Sequence, residues 1–158
     1  MQMILASLLT DDTFVDSFLD QARLQLRRSY EICTRKLQDM VIPFVPAKAG
    51  LFIYVDFSSL LPTPDFEGER RFATLVQDVA RVVMAPGESM RDGKAGMFRI
   101  SYACVSNEVL EIAFERLNFL VGKVRKFDWD DLSSDYWGDV MKFADSSYFL
   151  SNPNQTSF

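Results

Sequence analysis

The sequence predicts an α+β fold, an α/β sandwich in which a long N-terminal helix leads into a small, mostly antiparallel sheet with helices packed on one face. Three observations carry this. Apolar residues recur every three or four positions from Thr10 to about Met40, and again after Ser106, which is helical spacing with one buried face. Two segments, Gly50 to Phe57 and Met97 to Ala103, are rich in β-branched and aromatic residues and read as strands. Proline and glycine clusters separate these blocks in the order helix, strand, helix, strand, strand, helix, with no internal repeat.

In the first helix Thr10 is placed to cap, and Asp11 and Asp12 fall in the first turn, where the helix dipole favours negative charge. Phe14, Phe18, Ala22, Leu26, Tyr30, Cys33 and Leu37 define one apolar face, while Arg23, Arg27, Arg28, Arg35 and Lys36 occupy the other. About 30 residues at about 1.5 Å each reach roughly 45 Å, more than a compact domain of this size covers. The helix is therefore expected to connect two bodies of protein, of which one is in view.

Pro43 and Pro46 end that helix and open an extended segment. In the strand that follows, Leu51, Ile53, Val55 and Phe57 alternate with Phe52, Tyr54 and Asp56. Pro62 and Pro64 make a loop, and a helix from about Glu67 to Ala80 presents Phe72, Leu75, Val76 and Val79 inward. Arg81 to Ala85 reads as a short strand. Pro86-Gly87 opens a turn-rich loop through Gly93 and Gly96, and the strand Met97 to Ala103 follows. Ser106 caps a last helix whose stripe is Leu110, Ala113, Phe114, Leu117, Leu120, Val121 and Val124. After Phe127 the pattern weakens into a tail with Trp129, Tyr136, Trp137, Phe143, Tyr148 and Phe149 among Asp and Ser, expected to be partly disordered.

Composition narrows the function. The 158 residues fit one domain, and 48% hydrophobic content with 14 Phe is globular rather than disordered. A net charge of −5 argues against a nucleic-acid partner, whose phosphates need clustered Lys and Arg. There is no histidine, so no Ser-His-Asp triad, Cys-His pair or imidazole base is available. Two Cys without His cannot close a zinc shell, and no metal site is expected. Cys33 and Cys104 read as buried small hydrophobes of a reducing compartment. No stretch reaches the roughly 20 apolar residues of a membrane span. Met1 to Thr10 is apolar but lacks a basic n-region and a cleavage site, so a core helix in a cytoplasmic protein is expected.

The chemically suggestive stretch is Ala85 to Cys104, where Arg99 sits between Phe98 and Ile100 in an otherwise apolar strand. A guanidinium stays charged, and burying it without an anion is costly. Two readings stand: a structural ion pair with an Asp or Glu such as Asp56 or Glu88, or a fork aimed at a ligand carboxylate. The glycines of the preceding loop would let backbone approach such a ligand.

Six segments, MILASLLTDDTFV, RLQLRRSYE, AGLFIYVDF, MAPGESM, GMFRISYA and LEIAFERL, occur in this order between Met1 and Lys126. Together they resemble 1-aminocyclopropane-1-carboxylate synthases and, more loosely, other class I/II aminotransferases. The resemblance implies the C-terminal part of a fold type I, pyridoxal phosphate-dependent protein: residues 1–41 ending the large domain and forming the connecting helix, 42–127 the small domain, and 128–158 an unmatched tail. It places Arg99 on the strand arginine that holds the substrate α-carboxylate. Pro86 and Gly87 fall on the turn before it, and Gly50 to Phe52 on a strand that helps close the site.

The lysine that binds the cofactor in that family has no counterpart here. Lys36, Lys48, Lys94, Lys123, Lys126 and Lys142 lie on a charged helix face, in turns or in the tail, and none in the family's Ser-x-x-Lys setting. The expected function is that of a C-terminal portion contributing the carboxylate arginine to an amino-acid substrate, inactive alone and prone to self-association or pairing with a missing N-terminal part. The alternatives are a non-catalytic interaction or amino-acid-binding module derived from the small domain, and an unrelated α+β regulatory module using the same arginine.

Overall fold

The computed structural model describes residues 6 and 8–126; the partly disordered aromatic tail expected over 128–158 lies outside them. Among the described residues, three α-helices and a four-stranded antiparallel sheet build an α+β fold. The elements are α1 (Asp12–Asp39), β1 (Phe44–Val45), β2 (Phe52–Asp56), α2 (Phe66–Leu75), β3 (Ala85–Pro86), β4 (Met97–Ser101) and α3 (Asn107–Val124). The sheet runs β1-β2-β4-β3.

The first helix starts one residue later than Thr10 suggests. Asp11 is the cap, its carboxylate accepting the Phe14 N–H at 3.0 Å, because the Thr10 hydroxyl is used by the preceding turn, donating to the Ala6 carbonyl at 3.0 Å. At 28 residues α1 is roughly 42 Å long, and only Ser29, Cys33 and Leu37 along it are buried. That half lies along α3, where the Ser29 hydroxyl meets the Asn107 side chain at 2.8 Å. The other half projects beyond the body, leaving Phe14, Phe18, Leu19 and Leu24 exposed.

Strands β2 and β4 pair in register from Phe52↔Ser101 to Asp56↔Met97. Their period of two turns Ile53, Val55, Phe98 and Ile100 inward, all buried, against α2 and α3. Phe57, Phe72 and Phe98 form the centre of that core, with ring centroids 5.5–5.7 Å apart. Leu51 lies just before the paired strand and is exposed, unlike the other members of its alternation. The α3 stripe is buried as its spacing requires, except that Ala113 is half-buried, and Ser106 caps it.

Two local expectations are corrected. Arg81 to Ala85 is not a strand: α2 continues into a π-helical turn (Val76–Ala80), Arg81 takes a left-handed φ of 55°, and only Ala85 and Pro86 reach β4. No strand lies opposite the β-branched residues there: the Val82 N–H donates back to the Val76 carbonyl at 3.4 Å, Val83 is 80% exposed, and Val82 and Met84 turn toward the core. Cys104 is exposed, not buried, because it follows the paired part of β4, and its thiol lies 2.9 Å from the Ser101 hydroxyl. Cys33 is buried, and desolvation pushes its thiol up to about 12, which leaves it inert.

Candidate functional site: the open face of the sheet

The same alternation that buries one face sends Phe52, Tyr54, Asp56, Met97, Arg99 and Ser101 to the other. Arg99 stands near the middle of this outer face, opposite Tyr54 on β2 and Ala85 on β3. It is exposed, and its guanidinium carbon lies 4.5 Å from the centroid of the Phe52 ring. Among the described residues no Asp or Glu forms an ion pair with it. The acids considered as partners are engaged elsewhere. Asp56 takes Lys94 at 2.7 Å, and Glu88 takes Arg70 through both oxygens at 2.5 and 2.7 Å.

Asp92, on the loop between β3 and β4, accepts the Tyr54 hydroxyl. Burial, and then this bond, push Tyr54 up to about 12, while the same bond holds the Asp92 carboxyl below the ordinary range. For Asp56 burial raises the pKa, but hydrogen bonds from Lys94 and Ser58 outweigh it and the net direction is down. Both carboxylates therefore stay ionised, and both are occupied.

The loop that carries Asp92 is anchored from beneath by a residue the sequence reading passed over. Glu69 is fully buried and accepts the Glu88 N–H at 2.8 Å and the Gly96 N–H at 2.6 Å. Its signal was available: three residues before Phe72 and seven before Val76, it falls on the inward stripe of α2. A carboxylate there needs donors, and the loop's amides supply them. Gly96 has a φ of +97°, and a Cβ on it would lie 2.5 Å from the Ser58 Cα. Pro86 pairs with Phe98, and Gly87 is packed against the chain itself, where a Cβ would meet the Met97 carbonyl oxygen at 2.9 Å. These two residues seat the loop on β4 beside Arg99.

The family model for aminotransferase class I and II matches residues 1–117. The chain belongs to the class I and II aminotransferases. It is 32% identical over 121 residues to a 1-aminocyclopropane-1-carboxylate synthase of Glycine max, covering 76% of this chain and 25% of the relative. To 1-aminocyclopropane-1-carboxylate synthase 4 of Solanum lycopersicum it is 31% identical over 120 residues, with the same coverage. Among solved structures it resembles an aromatic aminotransferase from Pyrococcus horikoshii, with a TM-score of 0.66, 25% identity, and coverage of 76% of this chain and 30% of that one. An aspartate aminotransferase from Thermus thermophilus with maleate gives a TM-score of 0.61 at 28% identity, over 71% of this chain and 27% of that one. The chain thus spans about a quarter of the length of the curated relatives it matches.

Aminotransferases of these classes depend on pyridoxal phosphate, and the described residues do not form a holder for it. Lys36 faces Glu115 at 3.7 Å, Lys94 is paired to Asp56, Lys123 lies over the Phe119 ring, and Lys48 and Lys126 are exposed. None is an amine desolvated in a cleft, the setting that makes a lysine nucleophilic. Lys142 lies outside the described residues. Among the described residues there is also no cluster of three or more metal-ligating side chains, and no helix long and apolar enough to cross a membrane.

Proposed function

We propose that this chain contributes the substrate-carboxylate arginine of an aminotransferase or a 1-aminocyclopropane-1-carboxylate synthase-like protein, as the C-terminal portion of that architecture, with Arg99 as the anchor. The observation that supports this most is the state of Arg99: exposed on an open sheet face, with the Asp and Glu residues considered as its partners occupied by other groups. Its planar fork offers two parallel N–H bonds to a carboxylate and fixes the ligand's orientation; it moves no proton. The ligand class is an amino acid or a related carboxylate, in keeping with the relatives' names and with the maleate of the Thermus structure. Pyridoxal phosphate would be held by groups other than the described residues of this chain, so the chain by itself is read as catalytically silent.

The test is a titration of the full chain with maleate, following the backbone amide shifts of β2 and β4 by NMR. Binding that weakens at least about tenfold in Arg99→Lys supports the role, because an ammonium cannot reproduce the planar fork. Equal binding by both proteins removes it. With pyridoxal phosphate added, no saturable visible band is expected; a stoichiometric adduct on one lysine would overturn the silent reading.

A second reading, a non-catalytic interaction module, is favoured by the uncovered half of α1 with Phe14, Phe18, Leu19 and Leu24. Sedimentation equilibrium of wild type and Phe18→Ser tests this surface: self-association that the substitution weakens supports an interaction surface there, and a monomer at all concentrations argues against one.

A further inference from the structure

We propose that Phe52 is a positioning residue that holds the Arg99 guanidinium over its ring and keeps the fork turned toward a ligand carboxylate. This rests on the carboxylate-binding reading of Arg99. Directly across the β2–β4 ladder Arg99 faces Tyr54, with Asp56 on one side of Tyr54 along the outer face and Phe52 on the other. The side chain can lean toward either. On the Asp56 side it would meet negative charge; instead its guanidinium carbon sits 4.5 Å from the Phe52 centroid. A cation over an aromatic face is held by the ring quadrupole, and arginine adds a flat surface that stacks.

The consequence for a ligand is geometric. A contact centred on the guanidinium carbon does not consume the N–H donors, which are the atoms a carboxylate engages in two parallel bonds. The competing carboxylates are removed at the same time, since Asp92 accepts from Tyr54 and Asp56 from Lys94. Phe52 itself is 42% exposed and is absent from the buried core, so packing does not explain a large ring at this position. Holding a flexible side chain in its binding geometry lowers the entropy lost when the ligand arrives.

The experiment uses the full chain with maleate as the probe and four proteins: wild type, Phe52→Leu, Phe52→Tyr and Arg99→Lys. Phe52→Leu is expected to raise the maleate Kd by roughly three- to fivefold, the scale of one exposed cation–π contact. Phe52→Tyr should restore it to within about twofold, since the ring face is kept. The ring-current shift of the Arg99 side-chain N–H should be present in wild type and Phe52→Tyr and lost in Phe52→Leu, a signature that general loosening of the strand would not reproduce selectively. Wild-type affinity in Phe52→Leu, with Arg99→Lys weakened, would overturn the Phe52 proposal and leave the anchor intact. If Arg99→Lys binds as wild type does, the anchor reading fails first and the Phe52 role falls with it.

Discussion

On the inner face of the sheet Ile53, Val55, Phe98 and Ile100 are shielded by helices, while Phe52, Tyr54, Arg99 and Ser101 face outward from the same two strands. Neighbours in sequence, such as Phe98 and Arg99, therefore live under different physics. Inside, energy comes from apolar area and close packing. Outside, it comes from hydrogen bonds and a cation held over an aromatic ring, and the side chains stay open to solvent. α1 repeats the contrast end to end, with Cys33 and Leu37 fully buried and Phe18 61% exposed on one continuous helix.

Substitutions should divide along the same line. The largest effect is expected for Phe98→Ala, which empties a site between Phe57 and Phe72 and should cost about 3–5 kcal/mol in urea denaturation. Arg99→Ala, one residue away, should stay within about 0.5 kcal/mol of wild type. Similar losses for the two would erase the distinction between the faces.

Glu69→Gln comes next, because it links the two faces. One amide oxygen cannot serve both the Glu88 and the Gly96 N–H, and the amide's own donors then point at donors. An orphaned buried donor costs about 1–3 kcal/mol, and faster hydrogen exchange at Gly96 would locate the loss in the loop. Unchanged stability and exchange would mean that the loop is held by other contacts.

On the outer face of the sheet the response to pH should come from Asp56, Asp92 and Tyr54. Asp56 and Asp92 have depressed pKa values, so they contribute stability above the unfolded carboxylate range near pH 4, and this is lost as pH falls through their folded values. Tyr54 titrates at about 12 in the fold against about 10 unfolded, so its contribution is intact below pH 10 and disappears between about 10 and 12. Asp92→Asn should make the acid limb of a stability–pH profile shallower and Tyr54→Phe the alkaline limb. Ile53→Val, on the inner face, should lower the whole profile without changing its shape.

The smallest effect on stability is expected in the exposed N-terminal half of α1. Phe18→Ser should stay within about 0.5 kcal/mol of wild type, because little contact is lost. It should nevertheless reduce hydrophobic-dye binding and self-association; no change in either would show that this stripe is not what associates.

Much of this architecture was legible beforehand because it follows from period and punctuation. Spacing alone turns Phe72, Leu75, Val76 and Val79 inward, and all are buried. Ser106 stands where a cap is expected and is one, its side chain accepting the Val109 N–H. The strand at Arg81 to Ala85 failed because β propensity says nothing about whether a partner edge is in reach. Cys104 failed because composition ranks cysteine as buried on average, while its exposure depends on where the pairing of β4 stops.

Arg99 shows the division of labour most clearly. That a lone guanidinium in an apolar strand needs an anion or solvent was decided by residue chemistry, and the sequence motifs around it carried the family. Whether it would be paired internally was not in the sequence. Asp56, Glu88 and Asp92 are all acids that could pair with it, and local pattern cannot rank them. The tertiary fold ranks them by placing Lys94 on Asp56, Arg70 on Glu88 and Tyr54 on Asp92. Pairing depends on distances of a few ångströms between residues tens of positions apart, which periodicity does not encode and only the packed sheet and its anchored loop determine.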